Sequence, residues 1–159
     1  MSELAPSASR GPFMKSKAGT YALIFRSRRS SSTQVGHWGC LKIVPGYYIY
    51  IGSAFGPGGV QARISRHCRT RKSKHWHIDY LRERVDPIFV WYSHEPRNLE
   101  HRWAELLSEM RETSSVKGFG CTDCRCYTHL FALDTRPTLA RFTSAVGGQI
   151  ESWNYQPDG

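Results

Sequence analysis

The sequence predicts an α/β domain built on a small mixed, largely antiparallel sheet flanked by helices. This class is supported by short runs rich in β-branched and aromatic residues, by apolar patterns with helical spacing, and by turns that contain glycine or proline. The chain has 159 residues, 40% of them hydrophobic, which suits one domain with a substantial core. We expect a disordered leader over residues 1–17, the main domain over 18–134, and a C-terminal helix and tail over 135–159 that pack on it.

The first half of the chain contains three candidate strands. Residues 20–26, 39–44 and 47–53 have the composition of strands. The basic, polar stretch 26–33 predicts a loop. Because Pro45-Gly46 is a strong turn signal, we expect the second and third strands to pair as an antiparallel hairpin.

A glycine-rich loop at 55–59 leads into the first predicted helix, over residues 60–71. Val60 and Ile64 lie on its apolar face, together with either His67 or Cys68. Arg63 and His67 are four positions apart and therefore share one flank of this helix.

The second half predicts two strands and three helices. The most amphipathic helix covers residues 99–111, with Asn98 as its N-cap and an apolar stripe at Leu99, Trp103, Leu106, Leu107 and Met110. The other predicted elements are a short helix at 77–84, a buried strand at 87–93, a strand at 128–133, and a final helix that begins with Pro137 at its first position and ends near residue 146.

The charge is unevenly distributed along the chain. The formal net charge is +9, and residues 1–84 hold 15 Lys and Arg against 3 Asp and Glu. Residues 85–159 hold 7 against 10. A basic half of this kind favours a polyanionic partner, since neutralising phosphates releases counterions, although a solvated surface would have the same composition.

Composition also bears on compartment. No stretch has the roughly 20 apolar residues of a membrane span, so we expect no membrane partner. The N-terminal residues lack the apolar segment of a secretory signal. The five cysteines are an odd set with three of them crowded together, which is unlike a secreted disulfide framework. These features predict a cytoplasmic protein.

Several short motifs follow one another in a defined order. They are Gly19-Thr20-Tyr21, Tyr50-Ile51-Gly52, a helix carrying Arg63, and Leu99-Glu100-His101. Each tripeptide arises often by chance, so the order is the informative feature. The ordered set resembles the GIY-YIG nuclease superfamily. With the segments 75–81, 118–120 and 130–131 it is similar to the Uri-type branch, over residues 18–134. The 28 residues between Tyr21 and Tyr50 are more than is usual in the superfamily.

The resemblance implies a metal-dependent endonuclease that hydrolyses DNA phosphodiester bonds with little sequence specificity, since no recognition domain accompanies the motifs. Glu100 would be the ligand of one Mg²⁺ or Mn²⁺ ion, because a hard cation prefers carboxylate oxygen. Arg63 would bind the scissile phosphate. Tyr21 and Tyr50 would lie on adjacent strands, one handling the attacking water and the other positioning the phosphate. Which tyrosine is the base stays open.

Histidines and basic residues complete the candidate site. His67 and His75 are assigned supporting catalytic roles, because histidine can act as an acid or a base. The residues expected to contact nucleic acid are Arg66, Arg69, Arg71, Lys72, Lys74, Trp76 and His77. Trp38 and Phe55 are further candidates for stacking on unpaired bases. Single-stranded, duplex and branched DNA are all candidate substrates, and so is RNA.

A cysteine cluster near the C-terminal third has spacings that permit zinc. Its residues are Cys121, Cys124, Cys126 and His129. Because the cluster lacks the usual separation into two pairs, we favour a cysteine-rich loop packed under the active site. Two other functions stay open beside the nuclease, namely a non-catalytic nucleic-acid-binding module of the same fold and a zinc-stabilised interaction protein.

Overall fold

The computed structural model describes residues 14–120 and 128–155. Within these ranges the chain forms eight strands and four helices. The strands are β1 (Gly19–Ser27), β2 (Ser31–Val35), β3 (Gly39–Ile43), β4 (Gly46–Ala54), β5 (Asp86–Ser93), β6 (Ser114–Ser115), β7 (Leu130–Leu133) and β8 (Glu151–Asn154). The helices are α1 (Gly59–Cys68), α2 (His77–Arg82), α3 (Glu100–Ser108) and α4 (Leu139–Val146). No described helix has both the length and the apolar character needed to cross a membrane.

Six strands form one sheet in the order β6-β7-β4-β1-β5-β8, and every neighbouring pair is antiparallel. β2 and β3 form a separate two-stranded sheet. The predicted α/β class with a largely antiparallel sheet is therefore confirmed. β1 and β4 lie at the centre and pair along their whole length, so that the start of β1 lies opposite the end of β4.

The two faces of the sheet carry two separate cores. Tyr21, Leu23 and Phe25 of β1 point to one face, where they pack with buried residues of α1, α2, β2 and β3. Ala22 and Ile24 point to the other face, where they pack with buried residues of α3 and α4. This alternation follows from the two-residue period of a strand. The result is a three-layer arrangement with the sheet in the middle.

The predicted pairing of the strand at 39–44 with the strand at 47–53 is wrong. β3 pairs instead with β2, which lies in a stretch predicted to be a loop. Both edges of β4 are already taken, because it pairs with β1 on one side and β7 on the other. Pro45-Gly46 therefore does not close a hairpin. It lies where the chain passes from β3 in the two-stranded sheet to β4 in the six-stranded sheet.

All four helices form where they were predicted, but their boundaries differ from the prediction by one to three residues. α1 ends at Cys68 because Arg69 adopts an extended backbone conformation, with φ −72° and ψ 139°. α3 begins at Glu100, whose backbone N–H donates to the Asn98 side chain at 2.9 Å, and Leu99 is its N-cap. α4 begins at Leu139, with Thr138 as the N-cap whose hydroxyl accepts from the backbone of Arg141 at 3.2 Å. Pro137 therefore precedes the helix.

The segment before β1 packs on α1. Met14 is buried in the core, and the carbonyl of Lys17 accepts a hydrogen bond of 3.0 Å from the backbone N–H of Val60. Gly59 has a φ of +59° and approaches Lys17 so closely that a Cβ atom would lie 2.3 Å from its carbonyl oxygen. Of the predicted leader, residues 1–13 lie outside the described residues.

Candidate active site

Ser53, at the end of β4, joins the two helical layers of the molecule. Its carbonyl oxygen accepts a hydrogen bond of 3.0 Å from Nη1 of Arg63 on α1. Its hydroxyl donates to Oε1 of Glu100, at the start of α3, over 2.7 Å. The two helices lie on opposite faces of the sheet, so their side chains meet only at this end of it.

A polar pocket of about 210 Å³ surrounds this junction. It is lined by Tyr21, Tyr50, Gly52, Ser53, Arg63, His67, Trp76, Glu100, His101, Gly120 and His129. Five of the six predicted catalytic residues are therefore brought together. The sixth, His75, is exposed on the segment before α2 and is not part of the lining.

The strand register places both tyrosines on the same face of the sheet. Tyr21 of β1 lies opposite Gly52 of β4, two residues beyond Tyr50, and side chains two residues apart on a strand share a face. The Tyr21 ring lies against Gly52, where a Cβ atom would be 2.4 Å from the hydroxyl oxygen. Glycine at this position is what allows Tyr21 to reach the pocket.

His67 packs between the two tyrosines. Its Nε2 atom lies 2.7 Å from the hydroxyl oxygen of Tyr21, and its ring centre is 6.0 Å from that of Tyr50. Burial lowers the pKa of His67 to about 3, so its imidazole is neutral at pH 7. Burial also raises the pKa of Tyr21 and of Tyr50, while the positive charge of Arg63 opposes this rise. Both tyrosines therefore remain protonated in the resting pocket.

Glu100 is ionised and held at both of its oxygens. Oε2 lies 2.8 Å from Nδ1 of His129, a buried residue in the segment leading to β7. Burial alone would raise the pKa of Glu100, but its contacts with His129 and Ser53 outweigh this and lower the pKa below its ordinary value. Its side chain is 19% exposed, so the carboxylate can still be reached from the pocket.

The predicted nucleic-acid-binding cations fall into two groups. Arg66 donates to both carboxylate oxygens of the buried Asp79, at 3.0 and 3.2 Å. Lys72 donates to the carbonyls of His67 and Arg69 at the end of α1, and burial lowers its pKa to about 8. Lys74 forms a 2.9 Å ion pair with Glu83. These three cations already have partners within the domain.

Arg69 and Arg71 form the second group. Both side chains are exposed, and neither side chain makes a hydrogen bond or ion pair within the part of the chain that the structure describes. They follow α1 directly, on the same stretch of chain as Arg63. Their charges are therefore available to an external anion.

The aromatic residues predicted to contact nucleic acid also differ from one another. Trp76 lines the pocket, and the guanidinium groups of Arg63 and Arg66 lie 4.7 and 4.4 Å from its ring centre. Nδ1 of His77 accepts from the backbone of Gly120 at 2.9 Å. Trp38 packs edge-on against Phe119, whereas Phe55 is 41% exposed.

Three pocket residues were not predicted as parts of the active site. Ser53 directly follows Tyr50-Ile51-Gly52 and His101 ends Leu99-Glu100-His101, but neither residue was assigned a role. His129 was considered only as a zinc ligand, yet its Nδ1 atom faces Glu100. The other zinc candidates, Cys121, Cys124 and Cys126, lie outside the described residues.

Fold and pocket together define an antiparallel α/β domain with one carboxylate, one arginine and two tyrosines at the end of its central strands. The family model "Domain of unknown function DUF123" matches residues 20–151, and the chain belongs to this family. No curated protein and no solved structure matches the chain.

Proposed function

We propose that the protein is a metal-dependent endonuclease of the GIY-YIG superfamily, of the Uri type, that hydrolyses DNA phosphodiester bonds with little sequence specificity. The observation that carries this proposal is the meeting of Tyr21, Tyr50, Arg63, His67 and Glu100 in one pocket. These residues come from β1, β4, α1 and α3, and a packing role for each would not require them to converge.

Glu100 is the residue that would hold the divalent ion. Among the described residues no group of three or more His, Cys, Asp or Glu side chains could enclose a metal. A single carboxylate nevertheless suits Mg²⁺ or Mn²⁺, which keeps several waters and takes further oxygens from substrate phosphate. The Glu100 side chain is ionised and partly exposed, which fits this mode of binding. The ion would lower the pKa of a nearby water and neutralise charge on the phosphate.

Arg63 would hold the scissile phosphate. One of its N–H groups is fixed by the carbonyl of Ser53, and its guanidinium lies 4.7 Å from the ring centre of Trp76. These contacts orient the planar group and leave other N–H donors facing the pocket. Such a donor stabilises the charge that builds on the non-bridging oxygens in the transition state.

Tyr21 and His67 would handle the proton of the attacking water. A neutral His67 in the tautomer with its proton on Nδ1 would accept the hydroxyl proton of Tyr21 at Nε2. As the water attacks phosphorus, its proton would pass to the Tyr21 oxygen while the tyrosine proton passes to Nε2; the two transfers would be concerted, because the buried imidazole is too weak a base to take a proton beforehand. The Tyr50 hydroxyl would then position the phosphate. The 2.7 Å contact of His67 with Tyr21 supports Tyr21 as the base of the pair.

A nuclease assay tests the proposal. Purified protein is incubated with labelled single-stranded, duplex and branched DNA and with RNA, each in Mg²⁺, in Mn²⁺ and in EDTA. We expect internal cleavage of DNA that EDTA abolishes. Binding of all substrates without cleavage in either metal would instead favour a non-catalytic nucleic-acid-binding module. We place this enzyme in the cytoplasm, since its odd, clustered cysteines suit a reducing compartment.

A further inference from the structure

A second cleft lies at the other end of the central strands. Its volume is about 610 Å³, and its lining includes Arg28, Arg82, Asp86, Phe89, Arg136 and Tyr155. In the pairing of β1 with β5, Tyr21 marks the end at the candidate active site and Arg26 faces Asp86 at the cleft. Tyr21 and Arg26 are five positions apart on β1, which corresponds to about 17 Å along the strand. The cleft is thus distinct from the pocket around Glu100.

The charge of this cleft is positive. It contains three arginines and one carboxylate, that of Asp86. Arg28 and Asp86 approach only to 4.0 Å, and both side chains are more than two thirds exposed, at 70% and 68%. An ion pair that is this exposed contributes little free energy to folding. Arg136 is exposed and has no carboxylate partner among the residues that the structure describes.

Arg82 places a buried cation in the same lining. It is 8% exposed, and its donors reach the carbonyls of Cys68 and Val85 at 2.9 to 3.2 Å. No carboxylate in the described chain pairs with it. The C-terminal end of α1 supplies about half a negative charge, and Lys72 binds the same helix end. A buried cation that lacks a full counter-charge favours an anion nearby.

Aromatic rings accompany the arginines. The guanidinium of Arg136 lies 4.9 Å from the ring centre of Phe89, and the Phe89 ring also stacks on that of Trp91. Tyr155, directly after β8, lines the cleft as well. Arginines interleaved with aromatic rings are the combination that binds nucleotides, because the cations contact phosphate and the rings stack on the base. An inorganic anion alone would need no aromatic surface.

We propose that this cleft binds a phosphorylated nucleotide, with its phosphate on Arg28 and Arg136 beside the buried cation of Arg82, and its base against Tyr155. The ligand is either a free nucleotide or one nucleotide of a longer strand. The proposal does not depend on nuclease activity, because it concerns binding at a site that contains none of the candidate catalytic residues.

The test is a titration in EDTA, followed by amide chemical shifts, with four probes: adenosine monophosphate, adenosine, inorganic phosphate and a short single-stranded oligonucleotide. We expect shifts at Phe89 and Tyr155 with the oligonucleotide. Saturation by adenosine monophosphate as well identifies a free nucleotide, and saturation by the oligonucleotide alone identifies a strand. Adenosine and inorganic phosphate should bind at least about tenfold more weakly, since each makes only half of the contacts.

Variants separate the cleft from general charge. Replacing both Arg28 and Arg136 with alanine should raise the dissociation constant at least about tenfold. The matched control replaces Lys42 and Arg111, which are exposed, carry the same charge and lie outside the cleft. Equal losses in the two double variants, equal binding of inorganic phosphate, or no shift at Phe89 and Tyr155 with any probe would overturn the proposal.

Discussion

The hydroxyl oxygen of Tyr21 lies 2.7 Å from Nε2 of His67, and both side chains are almost completely buried. The contact joins a residue of the central strand to one of α1, on the flank that also carries Arg63. Burial keeps the imidazole neutral and the phenol protonated, so the pair holds one proton between two groups that do not ionise at rest.

The first prediction concerns the hydroxyl of Tyr21. Tyr21→Phe keeps the ring and its packing but removes the proton-transfer group, so we expect cleavage to fall about 10² to 10⁴-fold. Tyr50→Phe should cost less, because Tyr50 would only position the phosphate. Tyr92→Phe is the matched control, since Tyr92 pairs with Tyr21 across the sheet and does not line the pocket. Single-turnover rates measure all three, and equal losses in Tyr21→Phe and Tyr92→Phe would remove the proton-transfer role.

The second concerns stability in acid. The pKa of His67 is lowered from 6.5 to about 3, so between these values the unfolded chain binds the extra proton. The contribution of neutral His67 is therefore complete above pH 6.5 and is lost as the pH falls toward 3, at about 1.4 kcal/mol per pH unit. Urea unfolding at pH 7.5 and pH 5 measures it. Wild type should lose about 2 kcal/mol more than His67→Gln between these conditions, and parallel losses would contradict a buried neutral histidine.

The third concerns the carboxylate. Glu100→Gln preserves size and removes the charge that would bind the cation, so cleavage should be abolished while the melting temperature and most DNA affinity remain. Glu105→Gln on the same helix is the control, because the Glu105 side chain is exposed, forms an ion pair with Arg102 and does not line the pocket. Mg²⁺-dependent cleavage that persists in Glu100→Gln would show that the metal is held elsewhere.

The fourth concerns the support of Glu100 by Ser53. Ser53→Ala removes the hydroxyl that donates to Oε1 but keeps the carbonyl that accepts from Arg63. Loss of such a supporting contact typically weakens metal binding by about 10 to 100-fold. We expect the Mg²⁺ concentration at half-maximal rate to rise, with a smaller change in the rate at saturating Mg²⁺. An unchanged Mg²⁺ requirement would separate Ser53 from the metal site.

The fifth concerns which cations contact the nucleic acid. Arg69→Ala with Arg71→Ala should weaken binding to all sequences alike and lower the slope of log K against log salt by about 0.9 per lost contact on duplex DNA. Arg66→Ala should act differently, because it removes the cation paired with the buried Asp79 and leaves that carboxylate only the backbone N–H groups of His75 and Trp76. The loss of this charged hydrogen bond should cost up to about 3 kcal/mol of folding stability. Fluorescence anisotropy across a salt series and urea unfolding distinguish the two effects. An unchanged salt slope would remove Arg69 and Arg71 from the interface.

Much of the central sheet could be predicted from the sequence. β1, β4 and β5 are long runs of β-branched and aromatic residues, and they match the prediction within two residues at each end. β2 was missed because four of its five residues are serine, threonine or glutamine, which give almost no apolar signal. The edge strands β6 and β8 are short and polar. Their pairing is decided by the neighbouring strand, which local composition does not reveal.

Most residues of the candidate site could be predicted from the sequence, but the contacts among them could not. The ordered motifs placed Tyr21, Arg63 and Glu100 in one site, whereas the contacts of Ser53 and His129 depend on how distant segments meet. The basic residues show the same limit. Nothing in the local sequence distinguishes Arg66, which is paired with Asp79 thirteen positions later, from the unpaired Arg69.

The attachment of Glu100 and Arg63 to opposite faces of the sheet has a consequence for synthesis. A ribosome completes the basic half, with Arg63 and both tyrosines, well before α3 emerges, and the segment carrying His129 follows later still. The nascent chain would therefore contain Arg63, the proposed phosphate-binding residue, before it contains the Glu100 carboxylate. The proposed nuclease would therefore stay inactive on the messenger RNA being translated until the layer containing α3 docks on the finished sheet.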